Sequence, residues 1–159
     1  MLKSYICQGQ KVAQDSIFDL NELYKMLFKW LEVYGYKFYE KEYADIDEPN
    51  GKHIEIFWVA DKDVDAYVRY VIEVSILILG MQKIEIEKEG LKFKTNKGSI
   101  EFQITAYLAK DYNGNWSKSG FHQQIRNIYD KLLIRGRLND QWGDLKGEVG
   151  LLVDEIKAF

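Results

Sequence analysis

The chain has 159 residues, of which 47% are apolar, and its formal net charge at pH 7 is -3. This length fits one domain with a single hydrophobic core over residues 1–159, and the apolar content is too high for a disordered chain. The negative balance argues against nucleic-acid binding, because affinity for phosphates rests on an excess of lysine and arginine. The single cysteine, Cys7, excludes an internal disulfide and a cysteine-rich metal site, and is typical of a reducing compartment.

No segment predicts a membrane span or an export signal. Residues 1–10 lack the apolar segment of a signal peptide. The most apolar stretch, residues 71–79, is too short to cross a bilayer and contains Glu73. We therefore expect a cytoplasmic protein that has no membrane contact. No motif indicates a cofactor or a metal site.

The first predicted element is an amphipathic helix over residues 17–34. Ser16 and Asp19 resemble a capping box in which Asp replaces the usual Glu, and Gly35 provides a stop. The apolar residues at helical spacing are Leu20, Leu23, Leu27, Trp30, Leu31 and Tyr34. Because such stripes normally face a core, we expect this N-terminal helix to be buried against the rest of the fold.

A curved antiparallel meander of about six strands is predicted to follow. The strands cover residues 36–44, 53–60, 67–79, 84–86, 91–93 and 100–108, with turn residues between them. Even-numbered residues of the longer strands are apolar and are assigned to the core, together with Ile84, Ile86, Leu91 and Phe93. Long strands twist and curl, so a helix can pack on the concave side of the sheet.

Two C-terminal helices are predicted to pack on this sheet, completing an α+β fold. The first covers residues 120–135, with an apolar stripe of Phe121, Ile125, Ile128 and Leu132. The apolar positions of the second are Leu138, Trp142, Leu145, Val149, Leu152, Ile156 and Phe159. Glycines at 143, 147 and 150 lower its helix propensity by about 1 kcal/mol each, which favours docking on the sheet over a coiled coil.

The charged residues of the later strands are explained by hairpin pairing. A two-residue turn at Glu89 and Gly90 determines which residues of its two strands face each other. The resulting opposite-charge pairs are Glu85 with Lys94, Glu87 with Lys92, and Glu101 with either lysine across the next hairpin. Each pair contributes about 0.2 to 1 kcal/mol, so these charges have a structural role without any catalysis.

A second group of charges, near the hairpin at residues 61–65, is not explained in this way. A three-residue loop there aligns His53 with Glu73 and Phe57 with Arg69, and leaves Glu55 diagonal to Glu73. A carboxylate next to an imidazole can raise its pKa and orient it as a general base, and two carboxylates with a histidine can bind a divalent metal. A surface ionic cluster is the simpler interpretation, because no nucleophile is assigned beside these residues.

The sequence contains no motif that defines a reaction or a family. We therefore expect a non-enzymatic binding or adaptor domain for a small molecule or a protein partner. The expected ligand site is a cavity between the curved sheet and the last helix, lined by Trp58, Tyr70 and Trp142, with Arg69 as a further contact.

Two alternatives remain open at this point. One is an enzyme that uses His53, Glu55 and Glu73 as a general base or a metal site. The other is self-association, either through the last helix or through the outer face of the sheet. That face has apolar residues at nominally exposed positions, namely Phe57, Val59, Leu77 and Leu79.

Overall fold

The computed structural model describes residues 2–112 and 135–159. Its elements are β1 (Leu2–Phe18), α1 (Leu20–Val33), β2 (Lys37–Glu48), β3 (Gly51–Asp63), β4 (Val68–Lys88), β5 (Leu91–Lys110) and, after the gap, α2 (Arg135–Ala158). The five strands form one antiparallel sheet in the order β1-β5-β4-β3-β2. The α+β class and the antiparallel sheet are therefore confirmed. The helix predicted over residues 120–135 lies outside the described residues, except for its last position.

The first strand, β1, was not predicted from the sequence. It pairs with β5 from Leu2 to Phe18, so a strand precedes the N-terminal helix. Only Val12 and Phe18 are buried in it, and Gly9, with a φ of 62°, lies where the register shifts. This strand lacks a clear apolar alternation because polar residues, Ser4, Gln10, Gln14 and Ser16, occupy half of the positions paired with core-facing residues of β5.

The helix α1 consequently begins later than predicted, at Leu20. Ser16, the expected cap, belongs to β1. Asp19 is the cap instead, and its carboxylate accepts a hydrogen bond of 3.1 Å from the backbone N–H of Glu22. Because β1 stays paired with β5 up to Phe18, Asp19 is the first residue free to cap the helix, and its backbone is extended as is usual for an N-cap.

The prediction of six strands is wrong because two predicted breaks are not chain reversals. The segments at 67–79 and 84–86 belong to one strand, β4, and those at 91–93 and 100–108 belong to β5. Between them lies a β-bulge, in which Gly80 and Met81 oppose Gly98. A Cβ on Gly98 would lie 3.1 Å from the Leu79 carbonyl oxygen, so glycine here allows two backbones to approach closely.

The even-numbered core face is confirmed along the longer strands. Its fully buried side chains include Ile54, Trp58, Ile72, Ile76, Ile78, Ile100, Phe102, Ile104 and Leu108. The same core cluster contains the apolar residues of both helices, among them Leu23, Leu27, Leu31, Leu145, Val149, Leu152 and Ile156. The expected docking of the last helix on the sheet is thus observed.

The glycines of α2 are tolerated rather than used for packing. A Cβ added at Gly143, Gly147 or Gly150 would meet no atom within 4 Å. These positions therefore face open space, as the sequence pattern predicts. Neither described helix combines the length and the apolar composition needed to cross a membrane.

Candidate functional site

The β-bulge determines on which face of the sheet the apolar side chains at the end of the β4–β5 hairpin lie. Two residues of β4 oppose one of β5 there, so the side-chain alternation of β4 reverses beyond Met81, whereas β5 keeps its alternation. Ile84 pairs with Thr95 and Ile86 pairs with Phe93. All four therefore lie on the face opposite the helices, which we call the outer face.

The assignment of Ile84, Ile86, Leu91 and Phe93 to the core is consequently wrong. Leu91 is 62% exposed and Phe93 is 47% exposed. Ile86 faces Phe93 as predicted, but the extra residue in β4 places these apolar side chains on the other face of the sheet.

We call the end of the hairpin, residues 82–97, the arm. Asn96 and Lys97 at its base still pair with β1, and residues 82–95 extend beyond the neighbouring strands. β3 pairs with β4 no further than Met81, and β1 reaches β5 no further than Asn96. Glu89 and Gly90 have φ values of 54° and 78°, as a two-residue hairpin turn requires. The predicted pairs are confirmed, with Glu85 opposite Lys94 and Glu87 opposite Lys92, although they lie on the helix side of the arm.

A strip of apolar side chains runs along the outer face from the middle of the sheet to the arm. Leu79 on β4 is 42% exposed, and Ile17 on β1, the strand on the far side of β5, is 50% exposed. The buried residues of both helices belong to the cluster on the opposite face. In order, the strip consists of Phe57, Leu77, Leu79, Ile17, Ile84, Ile86, Phe93 and Leu91. The exposed side chains of Gln82, Lys97 and Ser99 interrupt it between Leu79 and Ile84.

Where this strip crosses β3, β4 and β5, the outer face contains a groove of about 400 Å³. Leu77 lies between Glu55 on β3 and Glu101 on β5, and Phe57 is paired with Ser75. Glu42 and Gln103 complete the polar lining, and no lysine or arginine lines the groove among the described residues. The groove thus has an apolar floor and three carboxylates at its border, of which Glu101 is ion-paired with Lys11.

Glu101 does not pair with Lys92 or Lys94, contrary to the prediction. It lies opposite Leu77 and Ala13, and its carboxylate forms an ion pair of 3.4 Å with Lys11. The predicted hairpin at residues 96–98 does not exist, so the register that depended on it does not form.

His53 lies beside the groove and contacts two carboxylates. Its Nε2 is 2.9 Å from Glu55 Oε1, and its Nδ1 is 3.5 Å from Glu48 Oε1. The hydrogen bond with Glu55, and then the charge of Glu48, raise the pKa of His53 above its ordinary value of 6.5. The sequence placed Glu55 in the same cluster as His53 but aligned His53 with Glu73, and it did not identify Glu48.

Glu73 is not part of this cluster. It pairs with Val59, six residues along β3 from His53, which corresponds to about 20 Å at 3.3 Å per residue. Arg69 pairs with Asp63 rather than with Phe57. The predicted alignment of His53 with Glu73 is therefore wrong, and the three candidate catalytic residues are not brought together.

The register differs because the turn is centred later than predicted. The carboxylate of Asp65 accepts hydrogen bonds from the N–H groups of Tyr67, at 2.7 Å, and Val68, at 2.8 Å. Such an Asx turn stabilises a chain reversal around residues 65–67. Gln141 on α2 also donates to Asp65, at 2.9 Å. Burial opposes ionisation of Asp65, but these hydrogen bonds keep its pKa below the ordinary value.

We predict that the raised pKa of His53 depends mainly on Glu55. Glu55→Gln should lower it, and Glu48→Gln should lower it less, because the Glu48 contact is longer. Since the folded-state pKa is raised, the stabilisation is present below the unfolded pKa and is lost as pH rises through the folded pKa. An NMR titration of the imidazole measures this, and an unchanged pKa in Glu55→Gln would contradict the assignment.

The predicted ligand-binding residues do not line one cavity. Trp58 is buried in the core and donates to Glu40 at 3.2 Å. Trp142 is half-buried, and its indole lies 3.4 Å from the Tyr5 carbonyl oxygen. Arg69 contacts Asp63 at 2.5 Å. The space expected between the sheet and the last helix is filled by side chains of the core cluster.

Tyr70, the fourth of these residues, borders a cavity of about 370 Å³ beside α2. In this cavity Lys62 donates to Glu148 at 2.8 Å and to the Tyr34 carbonyl at 2.9 Å. The hydroxyl of Tyr36 donates to Glu148 at 2.5 Å, and burial with this hydrogen bond raises the Tyr36 pKa. Lys62 on β3 and Glu148 on α2 are paired with each other, so this cluster attaches α2 to the sheet.

The outer face is thus the site that the structure defines most clearly. Within residues 2–112 and 135–159, no three His, Cys, Asp or Glu side chains converge in a way that could hold a metal ion. Comparison with known protein families, with characterised proteins and with solved structures finds no match. The molecule is an α+β protein whose described helices pack on one face of an antiparallel sheet, with exposed apolar side chains on the other face.

Proposed function

We propose that this chain is a non-enzymatic protein-binding domain, and that its binding surface is the outer face formed by the groove and the arm. The exposed apolar strip that joins these two features supports the proposal most directly. Several exposed apolar side chains on one face are uncommon on monomeric proteins and mark interaction sites. Leu79, Ile17, Phe93 and Leu91 are each at least 42% exposed, so a partner would remove substantial apolar area from water.

The construction of the arm also supports a binding role. A two-stranded hairpin has little stability of its own in water, and this one has its apolar side uncovered by the described helices. Its other side carries the pairs Glu85–Lys94 and Glu87–Lys92. Charges of this kind discourage non-specific strand pairing at sheet edges. The arm therefore has one charged side, which favours contact with water, and one apolar side, which is suited to contact with a protein partner.

The groove favours a protein segment over a small molecule. Small-molecule sites usually enclose most of the ligand, whereas this groove lies open on the surface of a sheet. The strip continues out of the groove onto the arm, which matches the extended surface of a protein partner. The enzyme alternative has less support, because Glu73 lies far from His53 and Glu55.

Site-specific photocrosslinking tests this proposal. A photoreactive phenylalanine analogue at Phe93 should form adducts with a partner in extracts of the native host. Phe28 on α1 is a matched control, because it is 48% exposed and Phe93 is 47% exposed. We expect adducts from position 93 and not from position 28, read by gel shift and mass spectrometry. Absence of an adduct at 93, or equal adducts at both positions, would contradict the proposal.

A further inference from the structure

We infer that the partner of the outer face is a second copy of this chain, with the arm of each copy lying in the groove of the other. This inference rests on the proposed function of the outer face and names the partner. It follows from the complementary chemistry of the two parts of that face and from their positions in the sheet.

The arm and the groove have complementary charge. By the register of the hairpin, the outer side of the arm contains the apolar residues with Lys88 and Lys97, and no carboxylate. The groove has apolar Phe57 and Leu77 with three carboxylates and no cation among its described lining residues. Glu101 is ion-paired with Lys11 and Glu55 contacts His53, which leaves Glu42 as the groove carboxylate that has no ion pair among the described residues. An arm placed in a groove would therefore bring lysines to carboxylates and apolar side chains to apolar side chains.

Within one copy the arm does not reach its own groove. Both belong to β4 and β5, and Ile86 is nine residues from Leu77, or about 30 Å along the strand. The arm continues the sheet and is not connected to it by a loop that would let it fold back. The complementary surfaces can meet only between two molecules.

The arrangement also fits a two-fold interface. In a symmetric dimer, the same patch is used on both molecules, so a patch must contain both halves of each contact. The arm and the groove lie on the same face, and one apolar strip joins them. Two outer faces placed in opposite directions would make the arm-to-groove contact twice.

Charge reversal tests this arrangement. One variant carries Lys88→Glu with Lys97→Glu in the arm, and another carries Glu42→Lys with Glu55→Lys in the groove. Sedimentation equilibrium at low ionic strength should give twice the 18.7 kDa chain mass for the original protein. Each variant alone should lose at least about tenfold in dimer affinity, because like charges then face each other. An equimolar mixture should recover the dimer, since both contacts in the mixed pair join opposite charges.

Two further variants keep the test decisive. Lys29→Glu on the exposed side of α1 changes charge outside the outer face and should leave the dimer unchanged. Phe93→Glu should weaken the dimer without changing a groove residue. The inference is overturned if the original protein is monomeric. It is also overturned if the arm and groove variants dimerise as tightly as the original protein, or if mixing the two variants does not restore the dimer.

The two proposals fail in different ways. If position 93 crosslinks to a chain of another mass while the original protein sediments as a monomer, the outer face is a binding surface but its partner is not a second copy. If position 93 forms no adduct of any kind, the binding face itself is wrong. An adduct of twice the chain mass together with recovery on mixing supports both.

Discussion

Replacing Gly51 with alanine should destabilise the protein by about 3 kcal/mol or more, a large part of the stability of an ordinary domain. Gly51 has a φ of 129°, and a Cβ there would lie 2.6 Å from the carbonyl carbon of Gly80. The unusual φ alone costs about 1 to 3 kcal/mol for a residue with a side chain. The clash is with backbone, so it is relieved only by displacing β3 or the bulge in β4.

Gly90→Ala is the matched control for this substitution. Gly90 also has a positive φ, of 78°, but a Cβ there would meet nothing within 4 Å. The expected loss is about 1 to 2 kcal/mol, which is the cost of the left-handed conformation without a clash. Urea unfolding of both variants measures the difference. If Gly51→Ala were as mild as Gly90→Ala, the close approach of β3 to the bulge would be contradicted.

Replacing Trp58 with alanine should cost about 3 to 5 kcal/mol in the free energy of unfolding. Trp58 is 1% exposed, and its ring lies 4.9 Å from that of Tyr24 and 4.4 Å from that of Phe38. Its indole N–H donates to Glu40. The substitution would leave a large cavity among aromatic rings and remove one of the two hydrogen bonds that Glu40 Oε1 accepts, the other coming from the Tyr24 hydroxyl.

Two variants separate these contributions. Trp58→Phe retains an aromatic ring and loses the hydrogen bond, so the expected loss is about 1 to 2 kcal/mol. Trp142→Ala makes the same truncation at a half-buried position, where about 1 kcal/mol is expected because little cavity remains. Denaturant unfolding gives all three values. A similar loss for Trp58→Ala and Trp142→Ala would be incompatible with a core position for Trp58 and would reopen its role as a ligand contact.

The parts of the fold that were predicted correctly depend on residues close together in sequence. Alternation of apolar residues identifies the core face of β3 and most of β4 and β5, because successive side chains of a strand point to opposite faces. The Glu89–Gly90 turn sets the pairs of the arm without reference to the rest of the molecule. The stripe of α2 likewise predicts which of its residues are buried, such as Leu145 and Ile156.

The candidate site was predicted only in part. Phe57, Leu77 and Leu79 were recognised as apolar residues at exposed positions of the outer face, and they are part of the strip. The groove residues Ser75 and Gln103 were not identified, because they become neighbours only when β4 and β5 pair.

By itself, then, the sequence determined the local features of this protein, namely the alternation within strands, the arm turn and the helical stripe. The tertiary structure alone decided three others. Asp65 anchors a turn with backbone and α2 contacts, and this shifts the register that separates His53 from Glu73. The bulge, in which Gly80 and Met81 oppose Gly98, places the apolar side chains of the arm on the outer face. β1 forms a strand chiefly because it pairs with the edge of β5. Each depends on contacts between distant segments, and one residue of shift in a strand reverses every face beyond it.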